Sequence, residues 1–319
     1  MIVLANDGIS PSGEMKLKEY GYEVITETVP QENLIQYIND NKVAAILVRS
    51  ATTVRKDIID SCPSLKFIGR GGVGMDNIDV EYARSKGLTV NNTPAASSQS
   101  VAELVLAQML SISRFTHLAS KEMPENGDSE FKSLKKKYAK GVELRGKTLG
   151  IIGFGRIGQS LAKYALGIGM KVIAVDKKPV PASIQLDFHT GQTFDVAIEG
   201  VTIDELYEQS DYISLHIPKQ ENGSAVIGKD EIAKMKDGVR IINAARGGVI
   251  DEDAIIAAVN SEKISFCALD VFENEPNPRR DLLVNTKITT TPHIGAATLE
   301  AQERIGIELA DKVFLCLSK

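Results

Sequence analysis

The chain has 319 residues, with Lys plus Arg at 37 and Asp plus Glu at 42, so its formal charge is −5. That acidic balance disfavours general nucleic-acid binding, because phosphate backbones need an excess of cations. A hydrophobic fraction of 43% and a charged fraction of 25% are those of a soluble globular protein of about two domains, and no apolar run approaches the ~18 residues of a membrane span.

The first residues, Met1–Asp7, form a short apolar stretch with no positive region before it, which reads as a strand and not a signal peptide. Pro11–Tyr20 reads as a helix closed by Gly21, Glu23–Thr28 as a strand, Leu34–Ile38 as part of a helix and Ala44–Val48 as a buried strand. Arg55–Cys62 and Val80–Lys86 read as helices, Phe67–Gly69 and Leu88–Asn91 as strands. Strands separated by single helices predict right-handed βαβ units and a parallel sheet. Val101–Met123 reads as a long helical segment whose apolar positions exceed one stripe. Lys121–Gly141 is polar, carries Pro124 and Gly127, and reads as a crossing between domains or an exposed loop. After Lys147 the alternation restarts, with strands expected at Thr148–Gly153, Lys171–Asp176, Tyr212–Ile217, Arg240–Asn243, Phe266–Leu269 and Lys287–Thr290. From Glu300 onward a single helix carries Ala301, Ile305, Leu309 and Val313 at spacings of four. The fold class expected is α/β, with two doubly wound parallel-sheet domains.

Cys62, Cys267 and Cys316 are widely spaced and read as reduced residues of a cytoplasmic protein. Neither they nor the four histidines show zinc-type spacing, so no metal is expected.

The strongest motif is Gly153-x-Gly155-x-x-Gly158. Alone this pattern is weak. Here it follows an apolar strand, opens a helix, and precedes a second strand, Val172–Val175, that ends in Asp176. That is the context a dinucleotide site requires. Gly153 permits the tight turn, Gly155 lets backbone approach a pyrophosphate, and Gly158 allows close helix–strand packing. The helix N-terminus offers unpaired N–H groups and a positive dipole end to the phosphates. Asp176 can accept from ribose hydroxyls and would repel a 2′-phosphate, which favours NAD over NADP. Lys177 and Lys178 beside it oppose that preference.

Three later segments carry unusual chemistry. Ile241–Gly248 ends a strand and delivers Arg246, a residue suited to pairing with a carboxylate. Ala268–Pro276 ends a strand in acidic residues that include Glu275. Thr290–Gly295 places His293 after a proline, just past a strand. Ligands of open α/β sheets bind at the carboxyl ends of strands, so an Arg, a Glu and a His there point to catalysis.

These stretches, with Val48–Thr52, Gly69–Asn77, Asn92–Pro94 and Val101–Leu104, resemble the D-isomer-specific 2-hydroxyacid dehydrogenases, and within them the 3-phosphoglycerate dehydrogenases. The resemblance runs through nearly the whole chain in family order. It implies that His293 is the catalytic acid/base, Glu275 its carboxylate partner, and Arg246 the holder of the substrate's carboxylate. It implies NAD contacts from Arg156, Ile157, Asp176, Ile217, Ala244, Ala245, Asp270 and Gly295, with Val73 near the nicotinamide. It further implies a flavodoxin-like substrate domain (residues 1–97 plus 297–319), a Rossmann NAD-binding domain (98–296), an active site in the cleft between them, and a homodimer built through the Val101–Met123 region. The two domains account for nearly all of the chain, so the C-terminal regulatory domains of longer relatives, and inhibition by serine through them, are not expected.

The substrate is less sharply marked. Arg49 and Arg70 match arginines that contact phosphoglycerate in the relatives, with Gly74, Ser97 and Lys136 as further substrate-side candidates. The run Lys135–Lys137 reads equally well as a solvated face. Residues 95–98 lack an asparagine that relatives often carry, with Ser97 in its place, and the chain has no tryptophan. Oxidation of D-3-phosphoglycerate in serine biosynthesis is the expected activity. Reduction of hydroxypyruvate or glyoxylate, D-lactate dehydrogenation and 4-phosphoerythronate oxidation stay open, as does an NAD-sensing, co-repressor-like partner-binding protein.

Overall fold

The structure is a computed structural model that describes residues 1–318. The chain divides into two compact units, residues 1–100 with the C-terminal segment from Ala296, and Val101–Gly295.

The first unit contains β1 (Ile2–Ala5), α1 (Pro11–Glu19), β2 (Glu23–Ile25), α2 (Leu34–Asp40), β3 (Val43–Val48), α3 (Lys56–Ser61), β4 (Phe67–Arg70), α4 (Val80–Ser85) and β5 (Thr89–Asn92). Its strands form one parallel sheet in the order β2-β1-β3-β4-β5. All six residues of β3 are buried, as expected for a central strand covered on both faces. The order reverses between β1 and β3, which places the topological switch point at their carboxyl ends. Asp7 and Arg49 lie there. Asp7 Oδ2 accepts the N–H groups of Arg49 (2.6 Å) and Thr52 (3.1 Å), which fixes the turn after β3.

The second unit follows from α5 (Ser98–Arg114), whose first residues belong to the first unit. It continues through α6 (Thr116–Asn126), α7 (Phe131–Lys137), β6 (Thr148–Ile152), α8 (Arg156–Gly167), β7 (Lys171–Val175), β8 (Ser183–Asp187), β9 (Thr193–Ala197), β10 (Glu199–Gly200), α9 (Ile203–Gln209), β11 (Tyr212–Leu215), α10 (Lys229–Lys234), β12 (Val239–Asn243), α11 (Glu252–Asn260), β13 (Ile264–Leu269), α12 (Arg280–Val284) and β14 (Ile288–Thr290). Seven strands form a second parallel sheet in the order β10-β7-β6-β11-β12-β13-β14. Successive strand residues feed two cores: Ile152 and Ile241 join one cluster, Ile151 and Ile242 the other. The α/β alternation read from the sequence is therefore the observed architecture.

The last helix, α13 (Leu299–Leu317), returns to the first unit and packs on α1. Gly13 and Gly306 make the contact: a β-carbon on Gly13 would lie 2.6 Å from the Gly306 backbone. Lys16 pairs with Asp311 at 2.7 Å and Tyr20 stacks on Phe314 beside it.

Val101–Met123 is mostly helical, as expected, in two helices that meet at Phe115, which adopts φ 57°. Two local readings differ from the structure. Lys121–Gly141 is neither a crossing nor a loop: it is largely helical and lies inside the second unit. Buried Leu134 anchors α7, and Lys137 pairs with Glu122 of α6 at 2.6 Å, so the polar run is one solvated face. Finally, β8 and β9 form an antiparallel hairpin that the sequence reading did not anticipate. Among the described residues no helix is long and apolar enough to cross a membrane.

Candidate active site

The glycine-rich turn joins β6 to α8. Gly153 adopts φ 93°, and a β-carbon there would lie 2.5 Å from the His216 carbonyl oxygen. Both facts exclude larger residues. A β-carbon on Gly158 would lie 2.3 Å from the Gly153 carbonyl oxygen, so the turn and the helix start are in direct contact. Gly155 differs: nothing lies within 4 Å of its β-carbon position. It caps α8 without a side-chain hydrogen bond, so the first N–H groups of the helix face open space. A pyrophosphate fits that opening. Arg156 is exposed and Ile157 half-buried at the helix start.

Asp176, just past β7, is held by two backbone donors. Phe154 N–H reaches one carboxylate oxygen at 2.6 Å and Lys178 N–H the other at 2.9 Å. The fixed carboxylate retains acceptor capacity for ribose hydroxyls. Ile217 follows His216 after β11. Burial pushes the His216 imidazole down to about 4, so the ring is neutral near pH 7. Its Nε2 lies 3.0 Å from Ser214 Oγ.

Strand register brings Arg246, Glu275 and His293 to one edge of the sheet. Asn243, Leu269 and Thr290 pair across β12, β13 and β14. Arg246, Glu275 and His293 all follow these aligned positions. Asn243, buried, shapes the first turn: its Oδ1 accepts Ala245 N–H (3.0 Å) and its Nδ2 donates to the Arg246 carbonyl (2.9 Å). Ala244, Ala245 and Arg246 are half-buried. Gly247 then packs on the β13 loop so closely that a β-carbon would lie 1.7 Å from the Phe272 carbonyl oxygen.

His293 Nδ1 lies 2.8 Å from Glu275 Oε2. Glu275 Oε1 accepts Phe272 N–H at 2.9 Å, which orients the carboxylate. A carboxylate only accepts, so Nδ1 carries the ring proton and Nε2 is left as an acceptor. Asp270, almost fully buried, holds the histidine's turn: it accepts from Thr291 Oγ1 (2.6 Å), Ile294 N–H (2.9 Å) and Gly295 N–H (2.8 Å). Gln108 of α5 donates to Thr291 Oγ1 at 3.1 Å. A pocket of about 390 Å3 opens beside the pair, walled by Phe272, Pro276, Pro278 and Leu283.

The substrate-side candidates are divided between the two units. Arg49, Arg70, Gly74 and Ser97 belong to the first unit, as does Val73, the residue expected near the nicotinamide. Ser97 is buried and Val73 is exposed. Arg70 ends β4 and donates to the Gly71 carbonyl. Lys136 is exposed on α7 of the second unit. Sequence reading missed Asn243 and Thr291 as shapers of the site. The signal was present: an Asx residue next to a strand end commonly builds a turn with its own backbone.

The family profile described as "D-isomer specific 2-hydroxyacid dehydrogenase, NAD binding domain" matches residues 106–295. The chain belongs to the D-isomer specific 2-hydroxyacid dehydrogenase family. It is an NAD-dependent oxidoreductase of that family. Hydroxypyruvate reductase of Thermotoga maritima is 47% identical over 295 residues, covering 92% of this chain and 90% of its own. D-3-phosphoglycerate dehydrogenase of Methanocaldococcus jannaschii is 40% identical over 311 residues, covering 98% of this chain but 56% of its own. The chain thus spans little more than half the length of that relative. The D-lactate dehydrogenase of Aquifex aeolicus, solved with NAD and lactic acid, superposes with a TM-score of 0.76 at 30% identity, over 98% of this chain and 94% of its own.

Proposed function

We propose that this dehydrogenase oxidises D-3-phosphoglycerate to 3-phosphohydroxypyruvate, the first step of serine biosynthesis. The observation that carries this reading is a pair of arginines on neighbouring strand ends of the first unit. Arg70 pairs in register with Val48, and Arg49 is the next residue along. Among the described residues the Arg49 guanidinium makes no hydrogen bond or ion pair. Two guanidinium groups suit a dianionic phosphate. The neutral hydroxymethyl group of hydroxypyruvate needs neither. Reduction of hydroxypyruvate is the second reading, favoured by the 47% identity to the Thermotoga maritima reductase.

In the oxidative direction His293 Nε2 takes the proton of the 2-hydroxyl group. Glu275, on Nδ1, stabilises the imidazolium that results and keeps the ring in one tautomer. Arg246 pairs with the substrate carboxylate and polarises the keto oxygen in the reverse direction. NAD, when bound, supplies the hydride acceptor. The Gly155–Gly158 backbone holds its pyrophosphate, and Ile217, Ala244, Ala245 and Gly295 line its site. Asp176 accepts from the ribose hydroxyls and repels a 2′-phosphate, so NAD is preferred to NADP.

Steady-state kinetics of Arg70→Ala test the substrate. A hydrogen bond to a charged group is worth about 1.5–3 kcal/mol, or a factor of roughly 10–150. The KM for 3-phosphoglycerate should rise by that factor while the KM for hydroxypyruvate stays within about twofold. Equal rises for both would remove the phosphate assignment.

A further inference from the structure

Two other carboxylates meet at the corner that carries Glu275. Glu252 is the first residue of α11 and is only 6% exposed, a rare environment for glutamate. One of its oxygens accepts the N–H of Glu273 at 2.8 Å. Glu273 returns the bond, accepting the N–H of Glu252 at 3.3 Å. Each carboxylate thus satisfies the other residue's backbone donor. The helix does not need Glu252 as its cap, because Asp251 already accepts Ala254 N–H at 3.0 Å. Burial raises the Glu252 carboxyl above its usual range; the Glu273 N–H bond opposes the rise, the Glu273 charge adds to it and Arg279 opposes it. A neutral side chain would avoid that cost, so the reciprocal pair has to be explained by what it holds.

What it holds is the loop after β13. Glu273 lies two residues before Glu275. Between them and the strand, the Asp270 N–H is bonded to the Asn243 carbonyl and the Phe272 N–H to Glu275 itself. The Glu252–Glu273 pair ties the start of this loop to α11, and the Arg279–Asp253 ion pair ties its far end.

We infer that Glu252, through its reciprocal carboxylate–amide pair with Glu273, is a positioning residue that sets Glu275 against His293. The inference rests on the reading of His293 and Glu275 as the acid–base pair. Kinetic double-mutant analysis tests it. Glu252→Ala should lower kcat about tenfold with the KM for NAD changed less than about twofold. Glu252→Gln keeps the accepting oxygen and should recover most of the rate. In a Glu275→Gln background, Glu252→Ala should change kcat by less than about twofold, because the carboxylate it positions is already gone. Glu273→Ala, at an exposed residue, should reproduce the Glu252→Ala pattern without opening a buried site. The inference is overturned if Glu252→Ala and Glu273→Ala multiply the loss of Glu275→Gln by their full factor, or if Glu252→Gln is no better than Glu252→Ala. If Glu275→Gln and His293→Ala by themselves leave kcat unchanged, the acid–base reading fails and this inference falls with it.

Discussion

His293 sits at φ 54°, in the left-handed region that a β-carbon disfavours. Such a conformation costs of order 1–3 kcal/mol and persists where surrounding bonds over-determine it. Here three bonds to Asp270 do so. The histidine was legible in the sequence as Pro292-His293 past a strand; its backbone state was not, because it depends on a carboxylate 23 positions earlier. His293→Ala should lower kcat by a factor of about 10²–10⁴, the usual range for a positioned acid/base, with NAD affinity unchanged by fluorescence titration. His216 supplies a different prediction. Its imidazole is pushed from 6.5 down to about 4 by burial, so the unfolded chain binds this proton first. Stability then falls as pH drops from 6.5 to about 4, and this residue adds nothing further below that. His216→Asn should make that fall shallower in urea unfolding followed across the same window.

Elements were legible where periodicity was strong. The strands with continuous apolar runs, β3 and β11 among them, appear within a residue or two of their expected ends. The hairpin β8–β9 was missed although its pattern is present: Ile184 and Leu186, and Phe194 and Val196, alternate with polar residues at a period of two. The Lys121–Gly141 segment misled for a different reason: a polar run with Pro124 resembles a loop, and only the burial of Leu134 reveals α7. Close helix contacts were not legible either. Gly13 reads as an ordinary residue of α1 until α13 is placed against it. In a solvated helix Gly→Ala stabilises by about 1 kcal/mol. At Gly13 the new β-carbon would meet Gly306 backbone atoms, which cannot rotate away. Overpacking costs about 1–3 kcal/mol, so Gly13→Ala should lower stability in denaturant titration. An unchanged or raised midpoint would show that α1 and α13 can separate freely.

At the scale of the whole molecule, the net charge of −5 conceals local cation. Arg246 stands at the carboxyl edge of the second unit's sheet, and Arg49 and Arg70 at that of the first unit's. The two-sheet organisation could be read from the sequence because apolar strands alternate with single helices and the alternation restarts after Lys147. The substrate could not, because it depends on which anion those arginines meet. The direct measurement is the initial rate of NADH formation at 340 nm, with D-3-phosphoglycerate or D-glycerate as substrate and NAD or NADP as acceptor. Turnover of D-3-phosphoglycerate with NAD is expected, at a kcat/KM at least about tenfold above D-glycerate and above the same reaction with NADP. Turnover of D-glycerate with none of 3-phosphoglycerate would contradict it.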